Sequence, residues 1–73
     1  LRLSEFRIAM ADEFGDAYSA LLAEDLSLTE CGGLTANEAI AAGQDPRDVW
    51  IAICRASDVP EARWYGVGLL REP

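Results

Sequence analysis

The groups in this chain that could do chemistry are two thiols, a set of carboxylates and a few guanidiniums, and there is no histidine. The missing imidazole removes Ser-His-Asp and Cys-His nucleophilic catalysis together with any histidine switch near neutral pH. Cys31 and Cys54 lie far apart, without a C-x-x-C pair or further thiols, so they do not supply the four ligands of a structural zinc site. Cys54 falls on the inner face of an expected helix with Arg55 as its one neighbouring cation, which reads as a buried, inert thiol. A redox role for Cys31 would require water and a depressed pKa, and the adjacent Glu30 opposes the second. Gly32-Gly33 lacks the lysine and the strand-to-helix setting of a phosphate cradle and reads as a turn.

Carboxylates crowd the first half, with Asp12, Glu13 and Asp16 near one expected corner and Glu24-Asp25 late in the next helix. Paired carboxylates can share a proton or hold a divalent cation, but no D-x-D-x-D-G loop accompanies these. They read as a solvated face. No metal, no cofactor and no enzymatic activity are therefore expected.

Six arginines and no lysine stand against thirteen acids, a formal charge of −7. Such a chain repels phosphate, which disfavours nucleic acid and anionic membrane surfaces as partners. One motif argues the other way. Thr35 to Cys54 has the outline of a helix-turn-helix, with Ala39, Gly43 and Val49 at positions that want a small residue, a turn glycine and an apolar residue. Glu38 and Gln44 occupy slots that are commonly apolar, and the second helix offers Arg47 and Arg55 beside Asp48 and Ile51. A base reader needs donors aimed from a positively charged face. Nucleic-acid binding through Arg47 and Arg55 is kept as the alternative to a plain helical corner.

The elements that position these groups are punctuated by caps. Ser4 is expected to cap a helix from Glu5 that Gly15 stops, with Leu3, Phe6, Met10 and Phe14 on one apolar face. At about 100° per residue Ile8 points away from that face, into water. Asp16 reads as the cap of a second helix to about Leu26, with Tyr18, Leu21, Leu22 and Leu26 inward. Ser27 to Gly33 is expected to hold at most one helical turn before a tight loop. Thr35-Ala36-Asn37-Glu38 has the capping-box pattern and starts a short third helix that Gly43 ends. Asp45-Pro46 then starts a fourth, to about Ala56, with Val49, Trp50, Ile53, Cys54 and Ala56 on one face. Trp50 reads as a core side chain whose indole N–H needs a partner. Ile51 falls among Arg47, Asp48 and Arg55, a second outward isoleucine. Pro60 to Arg63 is expected to add one more turn.

Seventy-three residues leave room for one domain with a thin core. Twelve alanines with leucine and glutamate, and few β-branched residues, lean to helix. The expected fold is all-α: a compact bundle of four short helices plus a fifth C-terminal turn over residues 1–63, followed by a tail over 64–73. There is no cationic-then-apolar leader and no apolar run long enough to span a membrane, so a cytosolic protein with reduced thiols is expected. Leu1 stands where an initiator methionine is expected, which implies a start offset by a residue or a processing event.

Taken together, Gly32-Gly33-Leu34-Thr35 through Glu38-Ala39, Ala42-Gly43, Asp45-Pro46, Val49-Trp50, Cys54 and Val59-Pro60 resemble a small actinobacterial family of unknown function. Its pattern is G-G-x-T-x-x-E-A, then A-G-x-D-P-x-x-V-W-x-x-x-C, then V-P, and Arg2-Leu3, Glu5-Phe6 and Phe14-Gly15 look like its opening. The resemblance covers nearly all of residues 1–64. It implies a compact helical cytosolic protein with no assigned activity, and its gene neighbourhood implies a DNA-repair context. That family usually carries a polar residue at the position of Ile51, which makes the isoleucine a departure and its outward placement the expectation.

The expected role is a protein-interaction or adaptor module, self-association included. Its candidate contact residues are Ile8 and Ile51 together with Trp64, Tyr65, Leu69 and Leu70 of the aperiodic tail, because clustered exposed apolar groups mark contact surfaces.

Overall fold

Asp45-Pro46 and Thr35-Ala36-Asn37-Glu38 do in three dimensions what their chemistry requires. In a computed structural model of the chain, which describes residues 1–64, the helices are α1 (Leu3–Phe14), α2 (Asp16–Asp25), α3 (Ala36–Ala41), α4 (Pro46–Ala56) and α5 (Glu61–Trp64). The Asp45 carboxylate accepts from the Arg47 amide at 3.0 Å to open α4. At α3 the Glu38 amide donates to Thr35 Oγ1 at 3.3 Å, while the Glu38 carboxylate accepts from the Thr35 amide at 2.9 Å. Both pairs satisfy amides that a helix start leaves without partners.

Two caps differ from expectation. α1 begins two residues before Glu5, because the Glu5 carboxylate reaches back to the Arg2 amide at 2.8 Å, and Ser4 lies inside the helix. Asp16 is the first residue of α2 rather than its cap. Gly15 holds that place, with φ 82° and ψ 157°, a conformation that essentially only glycine adopts. It donates to the Ala11 carbonyl at 2.8 Å and accepts from the Ser19 amide at 2.9 Å, so one residue closes α1 and opens α2.

The fold is mostly helical rather than purely so. Between α2 and α3 the chain forms β1 (Ser27–Leu28), a single 3-10 turn (Thr29–Cys31) and β2 (Leu34–Thr35). The strands pair antiparallel, Ser27 with Thr35 and Leu28 with Leu34. The expected single turn is present, and the flanking ladder is the correction. Two-residue strands are too short to show alternation in sequence. Their pairing comes from Gly32 and Gly33, whose φ of 77° and 83° turn the chain where an L side chain would be strained. A Cβ at either glycine would meet nothing within 4 Å, so backbone angle rather than space selects glycine there.

The core sits on α4. Val49, Trp50, Ala52, Ile53 and Cys54 are buried, together with Phe6, Ala9 and Met10 of α1, Leu28, Cys31, Ala36, Ala39 and Val59. Ala36 and Ala39 are fully covered, which lets α3 approach closely. Phe14 meets Trp50 edge to face at 6.4 Å between ring centres. Leu3, expected on the inner face of α1, is 38 % exposed at the first turn, beyond the reach of the core.

α2 departs furthest. None of its residues is buried, and Tyr18 and Leu21, expected inward, are exposed, while Leu22, Ala23 and the following Leu26 pack partly against the core. Apolar residues run around this helix, from Ala17 and Tyr18 to Leu22 and Ala23. A wheel with grease on every side does not specify which side turns in.

Candidate functional site

Three groups of residues raised by the sequence are placed by this fold. The thiols come first. Cys31 and Cys54 are free and buried. Burial pushes the Cys54 thiol up from an ordinary 9.0 to about 12, and the Glu13 carboxylate adds to the rise. Burial raises Cys31 as well, with the carboxylates of Glu30 and Asp48 adding to it. A thiol held protonated is a poor nucleophile and a poor metal ligand.

The second group lies where α4 meets the 3-10 turn and α5. Arg55 donates to Glu30 at 2.6 Å, and its guanidinium sits 5.6 Å from the centre of the Trp64 ring. The Trp64 indole N–H donates to the Val59 carbonyl at 2.9 Å, and the Trp50 indole N–H donates to the Trp64 carbonyl at 3.1 Å. Arg63 pairs with Glu13 at 3.2 Å, tying α5 to α1. Trp64 is thus the last residue of α5, half-buried against its own domain. Its N–H is used by Val59, and one side of its ring faces Arg55.

Ile51 is corrected in the same region. It points to the expected side of α4, lining a shallow groove with Glu30, Gln44, Asp48 and Arg55, but it is half-buried there. Gln44 and Arg55 are held toward the 3-10 turn, Gln44 by donating to the Cys31 carbonyl at 3.2 Å and Arg55 by donating to Glu30. The helix-turn-helix outline exists as α3 and α4, with Ala39 and Val49 buried between them. Arg47 is exposed on the first turn of α4, beside Asp45 and Asp48, and Arg55 is directed at Glu30 and Trp64.

The third group is the outer flank of α1 and α2. Ile8 is 53 % exposed, as expected, and it shares that state with Tyr18 at 53 % and Leu21 at 52 %. Ala17, Ala20, Leu21 and Glu24 are all exposed at i, i+3, i+4 and i+7, so one face of α2 carries an apolar stripe with a carboxylate at its end. Tyr18 sits in the next row, its ring edge to face with Phe14 at 6.1 Å. Beside the stripe a groove of about 230 Å³ opens between α1 and α2, with Phe6, Met10, Ala11, Ala20 and Ala23 in its lining and Arg7 and Asp16 at its polar margin. Tyr18 and Leu21 were not singled out as contact residues in sequence. The signal that marks them is a second apolar stripe on a helix that already has one for the core.

The proposed contact residues Tyr65, Leu69 and Leu70 lie outside the described residues. Among the described residues no cluster of three His, Cys, Asp or Glu side chains is placed to hold a metal ion. No helix among them is long and apolar enough to cross a membrane.

Comparison with curated proteins and with solved structures finds no match. Residues 1–62, most of the chain and all of the elements up to the start of α5, match the family described as protein of unknown function (DUF3046), and the chain belongs to that family.

Proposed function

We propose that this domain is a protein-interaction module that works through the outer flank of α2, with Ile8 on the neighbouring helix. The observation that carries the reading is the exposure of Leu21 and Tyr18 on a helix none of whose residues is buried. A domain this small gains little from leaving a Leu and a Tyr half in water, since burying such a side chain is worth about 1.5–3 kcal/mol. Placing them against a partner recovers that free energy at the interface. The protonated, buried thiols supply no nucleophile, so the reading is of binding rather than catalysis, in the cytosol where thiols stay reduced.

The test is affinity capture with the full chain and with a Tyr18→Ser/Leu21→Ser variant, followed by reconstitution with the captured protein once it has been identified and purified. A stoichiometric complex that forms with the natural chain and is lost with the variant is the expected result. Equal capture by both chains contradicts the assignment to α2.

A further inference from the structure

We propose that the occupant of the α2 flank is a cationic amphipathic helix of another protein. The inference rests on the interaction reading above and names the chemistry of its partner. Three features of the flank select that occupant.

The first is spacing. Ala17, Ala20, Leu21 and Glu24 form a straight stripe along a helix of ten residues, about 15 Å long. Small side chains at Ala17 and Ala20 allow a second helix axis to come close, and Leu21 stands beside them as the knob that enters its side-chain layer. Strand addition has no comparable purchase, because β1 and β2 offer two residues each.

The second is charge. α2 contains Asp16, Glu24 and Asp25 and no cation, so the stripe is bounded by carboxylates at both ends. A partner that lays apolar residues on the stripe meets acid on either side, and Arg or Lys flanking its own apolar residues complements them. The lining of the adjoining groove includes one opposing charge, Arg7, against the three carboxylates of α2. A second copy of this chain fits poorly, since it brings the same three carboxylates and a formal charge of −7 to meet their like.

The third is depth. The groove beside the stripe, about 230 Å³ in volume, has the alanines Ala11, Ala20 and Ala23 and the edges of Phe6 and Met10 on its apolar side and Ser19 and Asn37 among its polar lining, and it receives one apolar side chain from the same approaching helix. The flank therefore offers both a track and an anchor point, the arrangement by which a helix-in-groove interface reads residues at i, i+3, i+4 and i+7.

The experiment titrates the full chain, labelled for NMR, with three synthetic peptides. One is a helix with leucines at heptad positions and arginines elsewhere. The second has the same composition scrambled to abolish the apolar face, and the third replaces every arginine by glutamate. Saturable binding of the first, with the largest shifts at Ala17, Ala20, Leu21 and Glu24, is expected. Leu21→Ser is expected to weaken it by about tenfold or more, the change that one buried leucine supplies. Glu24→Arg/Asp25→Arg is expected to weaken it without lowering the melting temperature, since cations in the last turn suit the helix dipole. Equal binding of the scrambled peptide, or of the glutamate helix, overturns the proposal, as do shifts centred on another element. If the Leu21-dependent complex from capture forms while no cationic helix binds, this occupant is wrong and the interaction reading stands. If neither forms, both fall.

Discussion

α4 and α2 are similar in length and opposite in what they do with their apolar residues. α4 presents Val49, Trp50, Ala52, Ile53 and Cys54 to the core, and Arg47, Asp48 and Arg55 to the other side. α2 buries none of its ten residues and leaves Leu21 and Tyr18 about half in water. Folding free energy is thus concentrated on one helix. The other is held mainly by its junction at Gly15 and by the partial cover of Leu22, Ala23 and Leu26. α2 gives the core one side, through Leu22 and Ala23, and leaves the side that carries Ala17, Ala20 and Leu21 exposed.

Substitutions sharpen or break this contrast. Trp50→Ala removes the largest fully buried side chain and the N–H bond to Trp64, and is expected to cost about 3–5 kcal/mol in chemical denaturation. A loss below about 1 kcal/mol would show that α4 is not the centre of the core. Gly15→Ala forces a side chain into a backbone conformation reserved for glycine, and is expected to cost about 1–3 kcal/mol although nothing lies within 4 Å of the added Cβ. An unchanged melting temperature would mean that the α1–α2 junction relaxes and does not set the placement of α2.

The Cys54 thiol gives the contrast a pH dependence. Its folded pKa lies near 12 against an ordinary 9.0, so the unfolded chain loses this proton first as pH rises. Its effect on stability is absent below pH 9.0 and grows unfavourable as pH climbs from there toward 12. The slope approaches about 1.4 kcal/mol per pH unit for a single thiol. Urea melts across that range should fall more steeply for the natural chain than for Cys54→Ala. Parallel curves would place the thiol in water.

The smallest effect is the most telling for α2. Leu21→Ser is expected to change stability by no more than about 0.5 kcal/mol, as surface substitutions do, and Tyr18→Ser by about 0.5–1.5 kcal/mol, the contribution of its edge-to-face contact with Phe14. A loss of 2 kcal/mol or more, of the size about which core truncations begin, would mean that these side chains are buried.

The same contrast explains what could be read in advance. α4 was legible because Asp45-Pro46 marks its start and its apolar residues keep to one side, and α3 because Thr35 and Glu38 form a reciprocal cap. The outward Ile8 was legible for a similar reason, since a lone β-branched residue opposite Phe6 on a one-sided helix has nowhere else to go. α2 was not, because apolar residues on all sides leave the inward face to be chosen by tertiary packing. Ile51 was placed on the correct side of α4, but it is half-buried there, in a groove whose other walls, Glu30 and Gln44, come from elsewhere in the chain. The β1–β2 ladder was hidden by its length, and the start of α1 by a carboxylate reaching back to Arg2.

Photo-cross-linking in the native cell, with the reactive group at position 21 and a control at the exposed position 58, tests the central claim most directly. The account predicts a discrete higher-mass adduct with one other protein from position 21 and none from position 58. No adduct from position 21, or the same pattern from both positions, would contradict it.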